Sequence, residues 1–203
     1  IYFIGDPTGT VTIVGQGTPG NTITPIEIYD SGYIHIDGMT ISNGYSKSGI
    51  YAHASLLPEQ VGLEFSRLKI YNIDGDGGND NLSGVHISSF SNSSVHHSLI
   101  YDVYNRQAPD NPNNTGIVFF KGHGNSANYN VIYTTYPGGA GIGLKYKHAS
   151  PDGSFTFKGN YISNFKLGGI QWANPNGQID HNYITYSARC FSNRPAGGES
   201  FFN

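Results

Sequence analysis

The residues of this chain best suited to chemistry are two lysines and a histidine that form its densest basic cluster. Alternation along a strand would place Lys145 and Lys147 on the same face, and His148 follows directly. Such groups suit β-elimination on a uronic acid sugar, because a base must remove the proton beside a carboxylate whose charge a cation neutralises. We expect Lys145 to be the base, with Lys147, His148, Lys121 or Arg106 as the cation. Alternatively, these lysines only keep an exposed strand soluble.

An aspartate-rich segment, residues 74–81, offers oxygen ligands for a cation. Asp74, Asp76 and Asp80 lie among glycine and asparagine, and calcium binds roughly six to eight oxygens from carboxylates, amides and carbonyls. The segment is not an EF-hand, because the twelfth residue counted from Asp74 is Val85 instead of glutamate. The three aspartates are therefore candidate calcium ligands. Turn formation alone is the alternative explanation of this composition.

A repeated pattern predicts the elements that must position these residues. A glycine followed by a branched apolar residue begins a strand-like stretch at Gly49, Gly84, Gly116, Gly141 and Gly169. A second strand-like stretch ends in an isoleucine, at Ile41, Ile70, Ile100, Ile132, Ile162 and Ile184. These isoleucines are 29, 30, 32, 30 and 22 residues apart. Strand-sized stretches that recur at such intervals, with no helical stretch between them, favour an all-β solenoid.

Length and composition restrict the possible classes of protein. The 203 residues allow a single domain, 1–203, in which 12% of residues are charged and 28 are glycine. The formal net charge of -3 offers no basic field for nucleic acid. No apolar run reaches membrane length, and Cys190 can form no internal disulfide. We therefore expect neither a nucleic acid partner nor a membrane span.

The first residues form a predicted strand without an initiator methionine, and neither end of the chain has a recognisable cap. Solenoid ends need caps, because an open coil exposes unpaired backbone groups and apolar side chains. We therefore expect this sequence to be part of a longer chain with further coils. Coverage of the ends by another chain is the alternative.

The opening segments resemble a known group of β-solenoids, and the likeness extends over the remaining coils. It rests on Gly15-Gln16-Gly17 through Pro25-Ile26-Glu27-Ile28 and on Ser31-Gly32-Tyr33-Ile34-His35-Ile36-Asp37-Gly38-Met39-Thr40-Ile41-Ser42-Asn43-Gly44. These stretches look like the first coils of right-handed parallel β-helix proteins of the pectate-lyase-like superfamily. The resemblance implies a right-handed parallel β-helix, here of about six to seven coils. The superfamily includes polysaccharide lyases, which often bind calcium beside a catalytic lysine, glycoside hydrolases, epimerases, phage tailspikes and non-catalytic surface proteins.

Side-chain alternation predicts which residues face the core. We expect one inward column to contain Ile50, Val85, Ile117, Ile142 and Ile170. A second inward column should contain Ile70, Ile100, Ile132, Ile162 and Ile184. The recurring asparagines Asn130, Asn160 and Asn182 predict an amide ladder at a turn between strands.

The neighbours of the first inward column should face solvent and could follow an extended sugar chain. The candidate substrate-binding residues are Tyr51, His53, Phe120, Lys121 and Gln171, and His86 is a further catalytic candidate. The polar insertions 74–83 and 105–115 should wall a groove above His53, His86, Phe120 and Lys145. Tyrosines such as Tyr104, Tyr133 and Tyr136 could stack on sugar rings. An ordinary solvated sheet face is the alternative.

A pectin-degrading hydrolase of the same fold is a competing interpretation. Three stretches resemble its motifs in the same order, namely Asn72-Ile73-Asp74-Gly75, Gly122-His123-Gly124 and Lys145-Tyr146-Lys147. Its aspartate pair is absent, because the chain reads Val95-His96-His97-Ser98 at that place. Inverting hydrolysis needs two carboxyl groups on either side of the scissile bond, so the lyase is favoured.

The sequence therefore predicts an extracellular or cell-surface protein that binds an acidic polysaccharide and cleaves it by β-elimination. A non-catalytic β-helix used for adhesion, surface structure or sugar binding is the second hypothesis. The two differ in whether a uronate polymer yields an unsaturated product.

Overall fold

Short β-strands joined by turns make up the described part of the chain. A computed structural model describes residues 1–5, 11–18, 20–42, 45–55, 60–75, 82–105, 114–136, 141–147, 153–173, 176–193 and 200–202. Within these ranges there is no helix. The described residues accordingly contain no helix with the length and apolar character needed to cross a membrane.

The strands follow one another at short intervals, as the Gly-, Asn- and Ser-rich turns of the sequence predict. The first eight are β1 (Tyr2–Ile4), β2 (Thr12–Val14), β3 (Ile26–Tyr29), β4 (Ile34–Asp37), β5 (Thr40–Ser42), β6 (Ser48–His53), β7 (Gln60–Val61) and β8 (Leu63–Ser66). The next eight are β9 (Lys69–Ile73), β10 (Ser83–Ser88), β11 (Phe90–Ser91), β12 (Ser94–His96), β13 (Leu99–Val103), β14 (Thr115–Phe120), β15 (Asn125–Asn128) and β16 (Val131–Tyr133). The last eight are β17 (Ile142–Lys147), β18 (Phe155–Lys158), β19 (Tyr161–Ser163), β20 (Gly168–Ala173), β21 (Gly177–Asp180), β22 (Tyr183–Thr185), β23 (Phe191–Asn193) and β24 (Ser200–Phe202).

Three parallel sheets wind into a β-helix, which confirms the predicted fold class. Sheet 1 contains β3, β6, β10, β14, β17, β20 and β23, with β24 antiparallel at its edge. Sheet 2 contains β1, β4, β8, β12, β15, β18 and β21, and sheet 3 contains β2, β5, β9, β13, β16, β19 and β22. Five coils, from β4 to β20, have a neighbour on both sides. This number is slightly below the predicted six to seven. It leaves out the strands at each end of the stack, because they have a parallel neighbour on one side only.

The predicted isoleucine column of sheet 3 is confirmed. Ile70, Ile100, Ile132, Ile162 and Ile184 are successive partners in the parallel ladder. The first four are fully buried, and Ile184 packs against the core. Full burial of one such side chain contributes about 1.5 to 3 kcal/mol. The stack is therefore held together chiefly by its inward columns.

The inward column of sheet 1 differs from the prediction at one strand. Ile50, Val85 and Ile117 are successive partners, as expected. Ile117 then pairs with Leu144, which in turn pairs with Ile170. Ile142 is buried but lies two residues earlier, opposite Thr115, so its assignment to this column was wrong.

Close packing between sheets 1 and 3 explains this register. Gly143, and not Gly141, occupies the position next to Gly116 in the ladder. A Cβ atom at either Gly116 or Gly143 would lie only 2.3 Å from the Cγ2 methyl group of Ile132 or Ile162, respectively. Glycine is the residue that lets the start of the five central sheet 1 strands, β6, β10, β14, β17 and β20, approach the isoleucine column this closely.

The asparagine ladder is confirmed at the turn between sheets 2 and 3. The Oδ1 atom of Asn160 accepts hydrogen bonds from the backbone N–H and the Nδ2 group of Asn130, both at 3.0 Å. Its Nδ2 group donates to the carbonyl oxygen of Ala127 and to Oδ1 of Asn182, both at 2.8 Å. The ladder thus satisfies buried backbone groups of successive coils.

Candidate functional site

The outer face of sheet 1 carries most of the predicted site residues in two adjacent columns. The first column consists of Glu27, Tyr51, His86, Val118, Lys145, Gln171 and Ser192. The second column consists of Tyr29, His53, Ser88, Phe120, Lys147 and Ala173. Neighbouring strands of a sheet are about 4.8 Å apart, so each column forms a regular row across the coils. His53, His86, Phe120 and Lys145 therefore share one face.

Two lysines, Lys121 and Lys147, have their ammonium groups near the ring of Phe120. Together with Lys145 they form what we call the lysine cluster. Lys147 is the ladder partner of Phe120, and the backbone N–H of Lys121 donates to the carbonyl oxygen of Lys147 at 2.7 Å. The Nζ atoms of Lys121 and Lys147 lie 5.8 Å and 5.6 Å from the ring centre of Phe120. Cation–π attraction favours both positions, while the two like charges repel each other. An anion bound to both ammonium groups would relieve that repulsion.

The register of β17 gives Lys145 different neighbours from those that the repeat pattern predicts. The repeat pattern aligned Lys145 with Phe120, whereas the structure pairs Lys145 with Val118 and Lys147 with Phe120. Lys145 therefore lies in the same column as His86, with Val118 between them. As predicted, both lysines face outward, and the intervening Tyr146 is fully buried.

The imidazole of His86 is uncharged at neutral pH. Burial, aided by Coulombic repulsion from His53 and Lys145, lowers the pKa of His86 from 6.5 to about 4. Its ring packs at 5.0 Å, centre to centre, against the ring of Tyr51. The lysine cluster therefore lies beside a neutral imidazole, which adds no positive charge to it and needs no counter-ion.

We expect the half-buried His86 to make the protein less stable in mild acid. In the unfolded chain the imidazole takes up a proton near pH 6.5, whereas in the folded protein it does so only near pH 4. The free energy of unfolding should fall between these values by roughly 3 kcal/mol. Urea unfolding at a series of pH values should show this slope, and His86→Gln should remove it.

The matched control is His123→Gln, because His123 is exposed on the turn after β14. This variant should retain the slope of the unmodified protein. An equal slope in His86→Gln and the unmodified protein would contradict the burial of a neutral imidazole.

Aromatic rings continue this face towards β3. The rings of Tyr51 and His53 are stacked at 6.0 Å, and Tyr29 meets Tyr51 edge-on at 6.2 Å. The Nδ1 atom of His53 is buried and has no hydrogen-bond partner. This end of the face thus offers ring surfaces, and the coil that contains Lys145 and Lys147 offers positive charge.

Several outer-face residues are not exposed, contrary to the expectation that this column faces solvent. The exposed fraction is 5% for Ser88, 6% for Val118 and 8% for Gln171. Gln171 is next to Lys145 in the ladder. Alternation determines the side of the sheet on which a side chain lies, whereas exposure also depends on the size of its neighbours. Gln171 therefore presents little surface to a substrate.

Four candidates, Arg106, His148, Asp76 and Asp80, lie outside the described residues. The same holds for most of both insertions expected to wall a groove. Asp74 is described and is 5% exposed, and its carbonyl oxygen accepts a hydrogen bond from the backbone of Ser46. Within the described ranges, no group of three or more His, Cys, Asp or Glu side chains could hold a metal ion. The calcium site stays a prediction.

Sheet 2 carries a polar network that the sequence analysis did not identify. Ser66 Oγ and Arg67 Nε donate to Oδ1 of Asp37 at 2.6 Å and 2.8 Å, and Arg67 Nη2 donates to Oδ2. The hydrogen bond from Arg67 is the main reason that the pKa of Asp37 is lowered to about 2. Because Asp37 lies on β4 and its partners lie at the end of β8, the network joins two coils. The signal in the sequence is an aspartate that precedes a Ser-Arg pair by 29 and 30 positions, which is the length of one coil.

Sheet 3 carries a stacked tyrosine ladder that was not predicted as a unit. The rings of Tyr71, Tyr101 and Tyr133 are parallel and 5.1 Å apart at each step. Burial, with the neighbouring phenols and Asp102, raises the pKa of Tyr101 and Tyr133. Each tyrosine follows an isoleucine of the inward column, which is the pattern that could have identified the ladder.

The strand pairing defines the chain as a parallel β-solenoid with a lysine-bearing outer face. Comparison of the chain with protein-family models, curated proteins and solved structures gives no significant match. The fold class therefore rests on the ladder of sheets 1 to 3, and the chemistry has to be argued from the geometry of the site.

Proposed function

We propose that the outer face of sheet 1 binds an acidic, uronate-containing polysaccharide and cleaves it by β-elimination. The supporting observation is the lysine cluster, in which the ammonium groups of Lys121 and Lys147 both lie near the ring of Phe120. Lys145 lies two residues before Lys147 on the same face of β17. The sequence resemblance to the pectate-lyase-like superfamily points in the same direction. Such polymers occur outside the cell, so the protein would act there or at a cell surface.

The proposed reaction needs one base and one neutralising cation. Lys147 and Lys121 would bind the sugar carboxylate, and their charge would stabilise the negative charge that develops when the neighbouring carbon loses its proton. Lys145, as the neutral amine, would accept that proton. The electron pair of the broken C–H bond then forms a C=C bond, and the glycosidic oxygen leaves and takes a proton from solvent. The products are an unsaturated uronate and a new free hydroxyl end.

Two features of the outer face bear on the competing functions. Among its described residues only Glu27, at the end of the first column, carries a carboxyl group. Hydrolysis requires a carboxyl pair, so this face gives hydrolysis no support. A purely binding role is the second candidate, because the lysine cluster would attract a carboxylate whether or not elimination follows.

An assay on the unmodified protein distinguishes these functions. Polygalacturonate, alginate and a glucuronate-containing polymer are incubated with the protein, and ultraviolet absorbance and reducing ends are followed together. A lyase produces both signals, whereas a hydrolase produces reducing ends alone. Binding without either signal supports the non-catalytic role, and absence of both binding and product contradicts the proposal. A neutral glucan is the control substrate for cleavage, and a parallel series with chelator tests the predicted calcium.

A further inference from the structure

The tyrosine ladder of sheet 3 stops abruptly at Tyr133. The two residues that follow it in the same column are Ser163 and Thr185, which are much smaller than tyrosine. One face of the Tyr133 ring is stacked on Tyr101, and its other face is directed along the column towards Ser163. The ladder therefore ends in a gap of about one ring.

This gap belongs to an open cavity of about 540 Å³, which we call the tyrosine notch. Its lining consists of Val131, Tyr133, Thr134, Tyr161, Ser163, Asn164 and Tyr186. Tyr161 and Tyr186 are 39% and 88% exposed. The notch thus combines an aromatic ring at its end with aromatic rings at its side.

Polar groups between the rings are held in place by hydrogen bonds. The Nδ2 group of Asn164 donates to the carbonyl oxygen of Thr134 at 2.7 Å, which orients Oδ1 of the same amide as an acceptor. Ser163 Oγ accepts a hydrogen bond from Thr185 Oγ1 at 3.1 Å and keeps its own hydrogen as a donor. The notch therefore presents a fixed acceptor and a donor beside an aromatic face.

None of the described residues that line the notch carries a charge, in contrast to the face of sheet 1. The raised pKa of Tyr133 keeps its phenol protonated even in mildly alkaline solution. No described lining residue has a positive charge to offset the cost of removing water from a carboxylate, so a charged sugar is disfavoured. The charge distribution selects a neutral occupant.

We propose that the tyrosine notch binds a pyranose ring of a neutral polysaccharide. The sugar would take the place of the next ring in the ladder, with its C–H face on Tyr133 and its hydroxyl edge towards Ser163 and Asn164. Aromatic rings and a few oriented polar groups are what such a ligand needs, because its faces are apolar and its rim forms hydrogen bonds. The chain of the polymer would extend past the exposed Tyr161. This site is independent of the acidic-polysaccharide function proposed for sheet 1.

Three variants test the notch. Tyr133→Leu keeps an apolar side chain but removes the flat ring, and should weaken binding about tenfold or more. Ser163→Tyr should continue the ladder into the gap and abolish binding while leaving the protein at least as stable. Tyr129→Ala is the control, because Tyr129 is an exposed tyrosine outside the notch. Affinities for soluble β-glucan and xylan oligosaccharides are measured by calorimetry, and circular dichroism and thermal unfolding verify the fold.

The proposal is supported if the unmodified protein and Tyr129→Ala bind a neutral oligosaccharide and Ser163→Tyr, correctly folded, does not. It is overturned if none of the neutral oligosaccharides binds, or if Ser163→Tyr binds as the unmodified protein does. Stronger binding of a uronate oligomer at this notch would also overturn it. Failure of uronate cleavage on sheet 1 leaves these outcomes unchanged, so the two proposals fail separately.

Discussion

Replacing Lys145 by arginine is expected to abolish polysaccharide cleavage while leaving binding nearly unchanged. The guanidinium group stays protonated in proteins, so it preserves the positive charge of the first column but cannot accept a proton. Loss of a general base lowers the rate typically by about 10²- to 10⁴-fold. Initial rates of ultraviolet absorbance and calorimetric binding to the same uronate polymer measure the two effects separately.

The pH dependence provides a second readout for Lys145. Only the deprotonated amine is a base, so the cleavage rate of the unmodified protein should rise with pH. Lys145→Arg should show no such rise.

Two further lysine substitutions serve as controls. Lys147→Arg keeps the neutralising charge beside Phe120 and should retain most of the rate, whereas Lys147→Ala should raise KM. Lys158→Arg tests a lysine on sheet 2, away from the proposed site, and should behave as the unmodified protein. If Lys145→Arg cleaves at the normal rate, Lys145 is not the base, and His86 becomes the remaining described candidate on this face.

Asn160→Leu is expected to destabilise the fold more than any other substitution considered for this protein. Leucine is similar in size, but it leaves the N–H of Asn130 and the carbonyl of Ala127 without the partners that Asn160 supplies. Each buried group left unpaired costs about 1 to 3 kcal/mol, so we expect a total loss of roughly 3 to 5 kcal/mol. Urea unfolding followed by circular dichroism measures the change.

Asn128→Leu is the matched control for the ladder. Asn128 accepts one hydrogen bond, from the backbone of Lys158, and it is only partly buried. Its replacement should cost at most about 1 kcal/mol, because water can reach the groups it leaves. Equal losses in the two variants would show that the ladder has no special role.

The repeat in the sequence predicted most of the fold, and the reason is periodicity. Isoleucines at near-constant intervals can all be buried only if the chain returns to the same place in each coil. The asparagine ladder could be predicted for the same reason. A buried amide next to a turn needs a hydrogen-bond partner, and the next coil supplies the same amide. The isoleucine columns and the asparagine ladder both arise from short stretches of sequence that recur once in each coil.

The register of β17 could not be predicted in this way. Gly141-Ile142 and Gly143-Leu144 match the repeat equally well, and a shift of two residues keeps every side chain on the same face. The contact between Gly143 and the methyl group of Ile162 decides between them. That contact joins different sheets, so no pattern within one strand contains it.

The sequence by itself determined the winding of the chain, the inward columns and the common face of Lys145 and Lys147, because strand periodicity depends only on the order of residues. Tertiary structure decided which side chains became neighbours across coils. It placed Lys121 and Lys147 near Phe120 and desolvated the half-buried His86 so that its pKa falls to about 4. It also ended the tyrosine ladder at a gap. These properties arise from distances between residues about 30 positions apart, and only the completed stack of coils determines those distances.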